Sequence, residues 1–239
     1  MLVPLSWLKQ YVPIKMPLPK LIERLSEVGI GVENIHKKEE DTVLELEITP
    51  NRPDLLSMIG IAREVAAIQK LKIKLKTTTI PKPKKKLPLT IKLDYTLSPR
   101  VSALILSGVK VKESPLWLQE RITSIGLRSI NNIVDITNFV MFELGNPLHA
   151  FDYNQIRGHT MIVMGTTGGE SFTTVDKLTY KLPKGANIIK DKERIIDLCG
   201  IKGGLDCAIT NKTKTVVLWV AVDDGPNIQI GRASCRERV

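Results

Sequence analysis

The chain has 239 residues, 43% of them hydrophobic, and a net charge of +10. This length can bury one or two hydrophobic cores, and this composition excludes an intrinsically disordered chain. No apolar run approaches the ~20 residues of a membrane span, and the N-terminal residues lack the pattern of a signal peptide. The basic balance favours a polyanion such as nucleic acid as partner, although it also fits simple solubility.

The three cysteines, Cys199, Cys207 and Cys235, show no metal-ligand spacing. Such cysteine usage is typical of proteins in a reducing cytoplasm that have no disulfide framework. We therefore expect a cytoplasmic protein without a metal site in this chain.

Residues 1–75 are predicted to form a small α+β unit. Ser6 is a candidate N-cap for a short first helix. An amphipathic helix is predicted over 17–29, with Gly29 placed to end it in a left-handed conformation. Two alternating segments then predict paired strands, and Asp54 is the candidate N-cap of the helix that follows them.

Residues 76–88 contain three prolines and five lysines, which predicts an extended, solvated linker. A second domain is expected over 89–230. Its strand-like segments surround a helix with Ser114 as N-cap and Pro115 as first residue. Because strands and helices do not alternate strictly, we assign the α+β fold class: a small N-terminal unit followed by a mixed α/β domain.

Residues 129–152 combine an apolar skeleton with four asparagines, two aspartates, a threonine and a histidine. These polar groups have a structural interpretation, in which Asn131 caps a turn and Asp135 pairs with an arginine. They also have a functional one, in which several of them line a pocket. The candidates for such a pocket are Arg128, Thr137, Asn138 and His149.

Standard catalytic signatures are absent from the sequence. It contains no phosphate-binding GxxxxGK[ST] loop, no GxSxG elbow and no HExxH or zinc motif. No ATP-binding residue and no residue for an ATP-dependent reaction can therefore be assigned. A glycine turn, CGIKGG, could bring backbone N–H groups close to a ligand, which by itself is weak support for a site.

Four blocks of sequence resemble the N-terminal part of the beta subunit of bacterial phenylalanyl-tRNA synthetases. They are LSWLKQYV, TPNRPDLLSMIGIAREVAAI, the long block from Ser114 to Asp152, and GIKGG. They run through most of residues 1–210, and the long block is highly specific. The resemblance implies that the second domain is of the editing type, which hydrolyses tyrosine wrongly attached to the phenylalanine tRNA.

The resemblance also implies which residues line the editing pocket. Arg128, Thr137, Asn138 and His149 match its positions in the long block. The glycine turn and the strand that follows it supply the others, namely Cys199, Gly200, Gly203 and Trp219. His149 is the best candidate to orient a water molecule or the ribose.

In this family the alpha subunit carries out the attachment of phenylalanine to tRNA. The resemblance therefore implies an alpha partner in an alpha2-beta2 assembly, tRNA-Phe as the nucleic-acid partner, and ATP and Mg²⁺ as requirements of the complete enzyme. No residue of this chain is expected to bind ATP or Mg²⁺, and the chain alone is not expected to attach phenylalanine to tRNA.

The chain departs from the family pattern in three ways. A tRNA-binding barrel that bacterial relatives insert after residue 38 is missing. Trp219 stands where relatives carry an acidic residue for the tyrosine hydroxyl, and Cys199 stands where they carry a smaller one. The editing-type domain is incomplete, and residues 231–239, GRASCRERV, resemble translated adapter sequence and are predicted to be non-native.

Three functions are compatible with these observations. The chain is part of a synthetase beta subunit with an editing domain, or a structural and tRNA-contacting module whose editing has decayed, or a free-standing hydrolase of mischarged tRNA. Trp219 favours decay over active editing, unless it is an ordinary buried strand residue. The N-terminal unit argues against a free-standing hydrolase.

Overall fold

The computed structural model describes residues 1–38, 41–75, 77–79, 82–83 and 86–236. The chain divides into two compact units, each built from two stretches of sequence. The first unit comprises Met1–Lys82 and Glu113–Asn146, and the second comprises Pro83–Lys112 and Pro147–Val239. In the described part, no helix has the length and apolar character that a membrane crossing requires.

The first unit packs helices on a small antiparallel sheet. Its elements are β1 (Leu2–Pro4), α1 (Leu5–Leu8), α2 (Leu18–Glu27), β2 (Gly31–Lys38), β3 (Asp41–Glu47), α3 (Met58–Ile68), α4 (Leu116–Ser124) and α5 (Asn132–Leu144). The strands lie in the order β1-β3-β2. Apolar side chains from α1 to α4 are fully buried in one core, and Trp7 of α1 stacks on Phe139 of α5 with ring centroids 4.7 Å apart.

The helix starts in this unit differ from the predicted ones. Ser57, not Asp54, caps α3, because its hydroxyl accepts a hydrogen bond from the Gly60 N–H at 3.0 Å. Ser6 lies inside α1 and donates its hydroxyl to Asp41 at 2.6 Å instead of capping the helix. Gly29 has a φ of +82°, which confirms the left-handed end predicted after α2.

The segment between α4 and α5 is held by a buried carboxylate. Asp135 is fully buried and accepts hydrogen bonds from the hydroxyls of Ser114 and Ser129, each at 2.5 Å. The predicted arginine partner of Asp135 is therefore wrong, because two serines and a backbone N–H take that place. Because its hydroxyl donates to Asp135, Ser114 is not the N-cap of α4, contrary to the prediction. Pro115 takes the N-cap position instead.

In its described residues, the second unit has three sheets and one α-helix. Its elements are β4 (Thr90–Leu93), β5 (Arg100–Ser107), β6 (Leu148–Asp152), β7 (Thr160–Gly165), β8 (Ser171–Thr173), β9 (Thr179–Lys181), β10 (Asn187–Lys190), β11 (Ile195–Leu198), β12 (Lys202–Gly203), β13 (Thr215–Val222) and α6 (Gly225–Arg236). The sheets have the strand orders β12-β11-β10-β7-β4, β5-β13-β6 and β8-β9. This mixture of helices and sheets confirms the α+β fold class.

Strands β7, β10 and β13 supply apolar residues to the core of the second unit. Helix α6 runs through residues 231–236, and residues 237–239 of the predicted non-native tail lie outside the described residues. The origin of the tail stays a prediction.

The two units do not follow the predicted contiguous division of the chain. Residues 113–146 belong with the N-terminal elements, since α5 contacts both α3 and α4. Within the predicted linker 76–88, residues 76, 80, 81, 84 and 85 lie outside the described residues. The domain boundaries at 1–75, 76–88 and 89–230 stay predictions.

Candidate functional site

The second unit places His149 at the centre of a small polar site. His149 lies on β6, and the antiparallel pairing of β6 with β13 sets it directly opposite Trp219. Opposed residues in a sheet point to the same face, so the imidazole and the indole are neighbours. The Phe151 ring lies on the same face, with its centroid 4.4 Å from that of the imidazole.

The backbone of Gly203 approaches the His149 ring closely. A Cβ atom on residue 203 would lie 2.4 Å from Cε1 and 2.7 Å from Nε2 of His149. Contacts below 3.0 Å are essentially never made by real Cβ atoms, so only glycine permits this approach. The structure thus brings together two of the predicted site residues that are 54 positions apart in the chain.

The His149 imidazole is neutral at physiological pH. Burial of the ring lowers its pKa from 6.5 to about 4. About a third of the side chain (37%) remains exposed, so a ligand can still reach the ring. A neutral imidazole offers one donor and one acceptor, which suits it to orient a water molecule or a hydroxyl.

Two aspartates, one buried and one partly buried, lie in the same unit, and the sequence analysis did not single them out. Asp197 on β11 has its Oδ1 4.0 Å from Nε2 of His149, and burial together with the charge of Asp223 raises its pKa well above 3.8. Burial also raises the pKa of Asp223, which Ser98 and Asn187 stabilise by hydrogen bonds. An aspartate inside an apolar run, as in IIDLCG, was the signal that could have revealed Asp197.

Cys199 and Gly200 follow β11 directly. Cys199 is buried in the same core cluster as Trp219, and burial raises the pKa of its thiol well above 9.0. The thiol is therefore protonated, which excludes a thiolate nucleophile at neutral pH. Gly200 adopts a φ of +67° in the turn that leads to Gly203.

Arg128, Thr137 and Asn138 belong to the first unit. Arg128 is exposed in the connection before α5, whereas Thr137 is buried on α5 and donates its hydroxyl to the Val134 carbonyl at 2.7 Å. Asn138 is the next residue of α5 and is partly buried. That these three residues share a pocket with His149 stays a prediction.

Trp219 is buried, with 4% of its surface exposed, on the central strand of its sheet. It is thus both a core residue and the cross-strand neighbour of His149. The sequence allowed two interpretations of Trp219, a residue of the pocket or an ordinary buried strand residue. These two interpretations do not exclude each other. Within the described residues, no group of three or more His, Cys, Asp or Glu side chains could hold a metal ion.

These features lie within a region that a protein-family model matches. Residues 97–234 match the model of the B3/4 domain, which covers more than half of the 239 residues. The chain therefore belongs to the B3/4 domain family.

More particularly, the chain is homologous to the beta subunit of phenylalanine--tRNA ligases, which confirms the resemblance. It is 39% identical over 204 residues to that subunit of Thermotoga maritima, covering 85% of this chain and 26% of the relative. With the subunit of Clostridium tetani it is 44% identical over 194 residues, covering 80% of this chain and 24% of the relative. The chain thus spans about a quarter of the length of these relatives.

A solved structure has a similar fold. It is an N-terminal fragment of the phenylalanyl-tRNA synthetase beta subunit from Pyrococcus horikoshii, matched with a TM-score of 0.50 and 13% sequence identity. The match covers 100% of this chain and 73% of that one. At this identity the likeness concerns the fold alone.

Proposed function

We propose that this chain acts as part of a phenylalanine--tRNA ligase beta subunit and that its B3/4 domain hydrolyses tyrosine wrongly esterified to tRNA-Phe. The observation that carries the proposal is the neutral imidazole of His149, which rests on Gly203 and remains partly exposed. The partners of this function are a ligase alpha subunit, in an alpha2-beta2 assembly, and tRNA-Phe. ATP and Mg²⁺ serve the synthetic reaction of the complete cytoplasmic enzyme and have no binding residue assigned in this chain.

The proposed chemistry is attack of water on an ester carbonyl. With a pKa of about 4, His149 is a weak base, so its part is to orient the water or a ribose hydroxyl. Backbone N–H groups of the turn from Gly200 to Gly203, other than that of Ile201, which donates to the Leu198 carbonyl at 3.0 Å, are candidates to stabilise the negative charge that develops on the carbonyl oxygen. The protonated thiol of Cys199 plays no covalent part.

A second candidate function is a structural and tRNA-contacting module without hydrolytic activity. The burial of Trp219 opposite His149 favours it, because an indole of this size occupies space beside the imidazole. The two functions differ in one measurable property, which is selective hydrolysis of tyrosyl-tRNA-Phe.

The test is deacylation of tyrosyl-tRNA-Phe and phenylalanyl-tRNA-Phe by the chain assembled with a ligase alpha subunit. We expect faster hydrolysis of the tyrosyl ester, and a loss of about 10²-fold or more in His149→Gln. His159→Gln is the matched control, since His159 stacks on Tyr153 elsewhere in the same unit. Hydrolysis of neither ester by the unmodified protein would favour the structural module.

A further inference from the structure

Strand β5 forms one edge of the sheet β5-β13-β6. In the part of the chain that the structure describes, it pairs on one side only, with β13, along all eight residues from Arg100 to Ser107. Six of these eight residues are exposed, and the other two, Val101 and Ile105, pack against the core of the second unit. The outer N–H and C=O groups of such an edge are a template for pairing with another strand.

The face of β5 that points away from the core is apolar. Because side chains alternate along a strand, Leu104 and Leu106 point to the face opposite Val101 and Ile105. Leu104 is 48% exposed and Leu106 is 39% exposed. A long edge with large exposed apolar side chains favours association with a second strand over contact with water.

The other sheet edges in the described residues have features that oppose such pairing. Most of them are short, since β1, β4, β6, β8, β9 and β12 have two to five residues each. Strand β2 is as long as β5 but carries charged residues such as Glu33 and Lys37. Short length and charge both protect edges from pairing. Strand β5 has neither protection, because Arg100 at its start is its single charged residue and it contains no proline.

We propose that β5 is a self-association edge, at which two copies of the chain pair their β5 strands antiparallel. The two three-stranded sheets then form one sheet of six strands. The contact is isologous, across a two-fold axis normal to the sheet, so both copies turn the same face to the same side. With Leu104 on the axis, it lies opposite Leu104 of the second copy, Ser102 lies opposite Leu106, and Ala103 lies opposite Ile105.

This register is compatible with the backbone and with the charges. Every second residue of β5 turns its N–H and C=O groups outward, and the two-fold axis sets outward-turned residues of one copy opposite those of the other. Arg100 then lies beside Gly108 of the second copy, where the space is open, since a Cβ atom on residue 108 would meet no atom within 4 Å. The two Arg100 side chains are about 27 Å apart, so their repulsion is screened.

The expected dimer is weak. Residues 101–107 of each copy form a ladder about 24 Å long and one strand spacing wide, which is smaller than a standard interface of about 800 Å² per partner. Main-chain hydrogen bonds supply much of the affinity in this mode of recognition. We therefore expect dissociation of the dimer in the micromolar range.

The test is sedimentation velocity of the full 239-residue chain over a concentration series that spans the micromolar range. The unmodified chain should change from monomer to dimer. Leu104→Lys should raise the dissociation constant by about tenfold or more, because it sets two like charges opposite each other on the axis. The control is Val222→Lys on the central strand β13, which changes an equally exposed residue of the same face and should keep the dimer.

A mixture of two variants tests the register. Leu104→Glu alone should be monomeric like Leu104→Lys, whereas an equimolar mixture of the two should associate, since opposite charges then meet on the axis. A monomeric unmodified chain throughout the series overturns the proposal. Loss of the dimer in Val222→Lys also overturns it, because the sheet face and not the edge would then be the contact. A mixture that stays monomeric refutes the position of Leu104 on the axis.

A second measurement does not depend on a variant. Hydrogen exchange of the β5 backbone N–H groups in the unmodified chain should become slower as the protein concentration rises. Exchange in β6, the opposite edge of the same sheet, should not change. Exchange in β5 that is independent of concentration would contradict the pairing.

Discussion

The contact between Gly203 and His149 makes Gly203→Ala an informative substitution. The new Cβ atom would lie 2.4 Å from Cε1 of the imidazole, whereas carbon atoms in contact are about 3.5 Å apart, so the ring has to retreat by about 1 Å. The ring cannot swing freely, because it packs against Phe151. Overpacking of this kind costs about 1–3 kcal/mol of folding free energy.

The same displacement should affect activity more strongly than stability. A shift of about 1 Å in a positioning group can lower a rate by about 10²-fold. We therefore expect Gly203→Ala to hydrolyse tyrosyl-tRNA-Phe about 10²-fold more slowly while it still folds. Urea unfolding gives the change in free energy, and the His149 Cε1–H resonance reports the movement of the ring.

Gly225→Ala is the matched control. A Cβ atom there meets no atom within 4 Å, and the position begins helix α6, so the variant should be as stable as the unmodified chain or more stable by up to about 1 kcal/mol. If Gly203→Ala behaves like this control in stability and in the His149 resonance, the close approach of the two residues is refuted.

Three further predictions concern single side chains. His149 should titrate with a midpoint near pH 4 by NMR. Because this folded-state pKa is below 6.5, protonation of His149 should leave the free energy of unfolding unchanged above pH 6.5 and lower it increasingly between pH 6.5 and 4. His149→Gln should remove this dependence of stability on pH. Asn131→Ala should destabilise the first unit by about 1 kcal/mol in urea unfolding, because the side chain caps two N–H groups of α5, whereas Asn131→Asp should keep the cap. Asp135→Ala should cost about 3 kcal/mol or more, because it leaves two serine hydroxyls and a backbone N–H without their acceptor; a loss below about 1 kcal/mol would contradict a structural role for this carboxylate.

Local patterns in the sequence predicted many of the elements. Alternating apolar residues located β3, and helical periodicity with a following glycine located α2 and its left-handed end at Gly29. Helix starts were less predictable, since Asp54 and Ser57 are both good caps. The choice between them depends on which side chain reaches the first free N–H groups, and here that is Ser57.

The site was only partly predictable. His149 and Gly203 came from a resemblance of motifs, and their contact depends on the pairing of distant strands. Asp197 escaped notice because its neighbours in sequence are apolar, and its significance comes from an imidazole 48 positions earlier in the chain. The assignment of residues 113–146 to the first unit likewise depends on packing of α5 with α3, which no local pattern encodes.

The strand order β5-β13-β6 has a consequence for folding during synthesis. The ribosome makes β5 and β6 first, yet neither can pair with the other, because the place between them belongs to β13. About 70 residues separate the end of β6 from the end of β13, which at 5–20 residues per second is a wait of roughly 4 to 14 seconds. During that interval both strands expose unpaired edges, which makes the nascent chain prone to aggregation or dependent on chaperones. The interval ends when β13 pairs with both strands and sets Trp219 opposite His149.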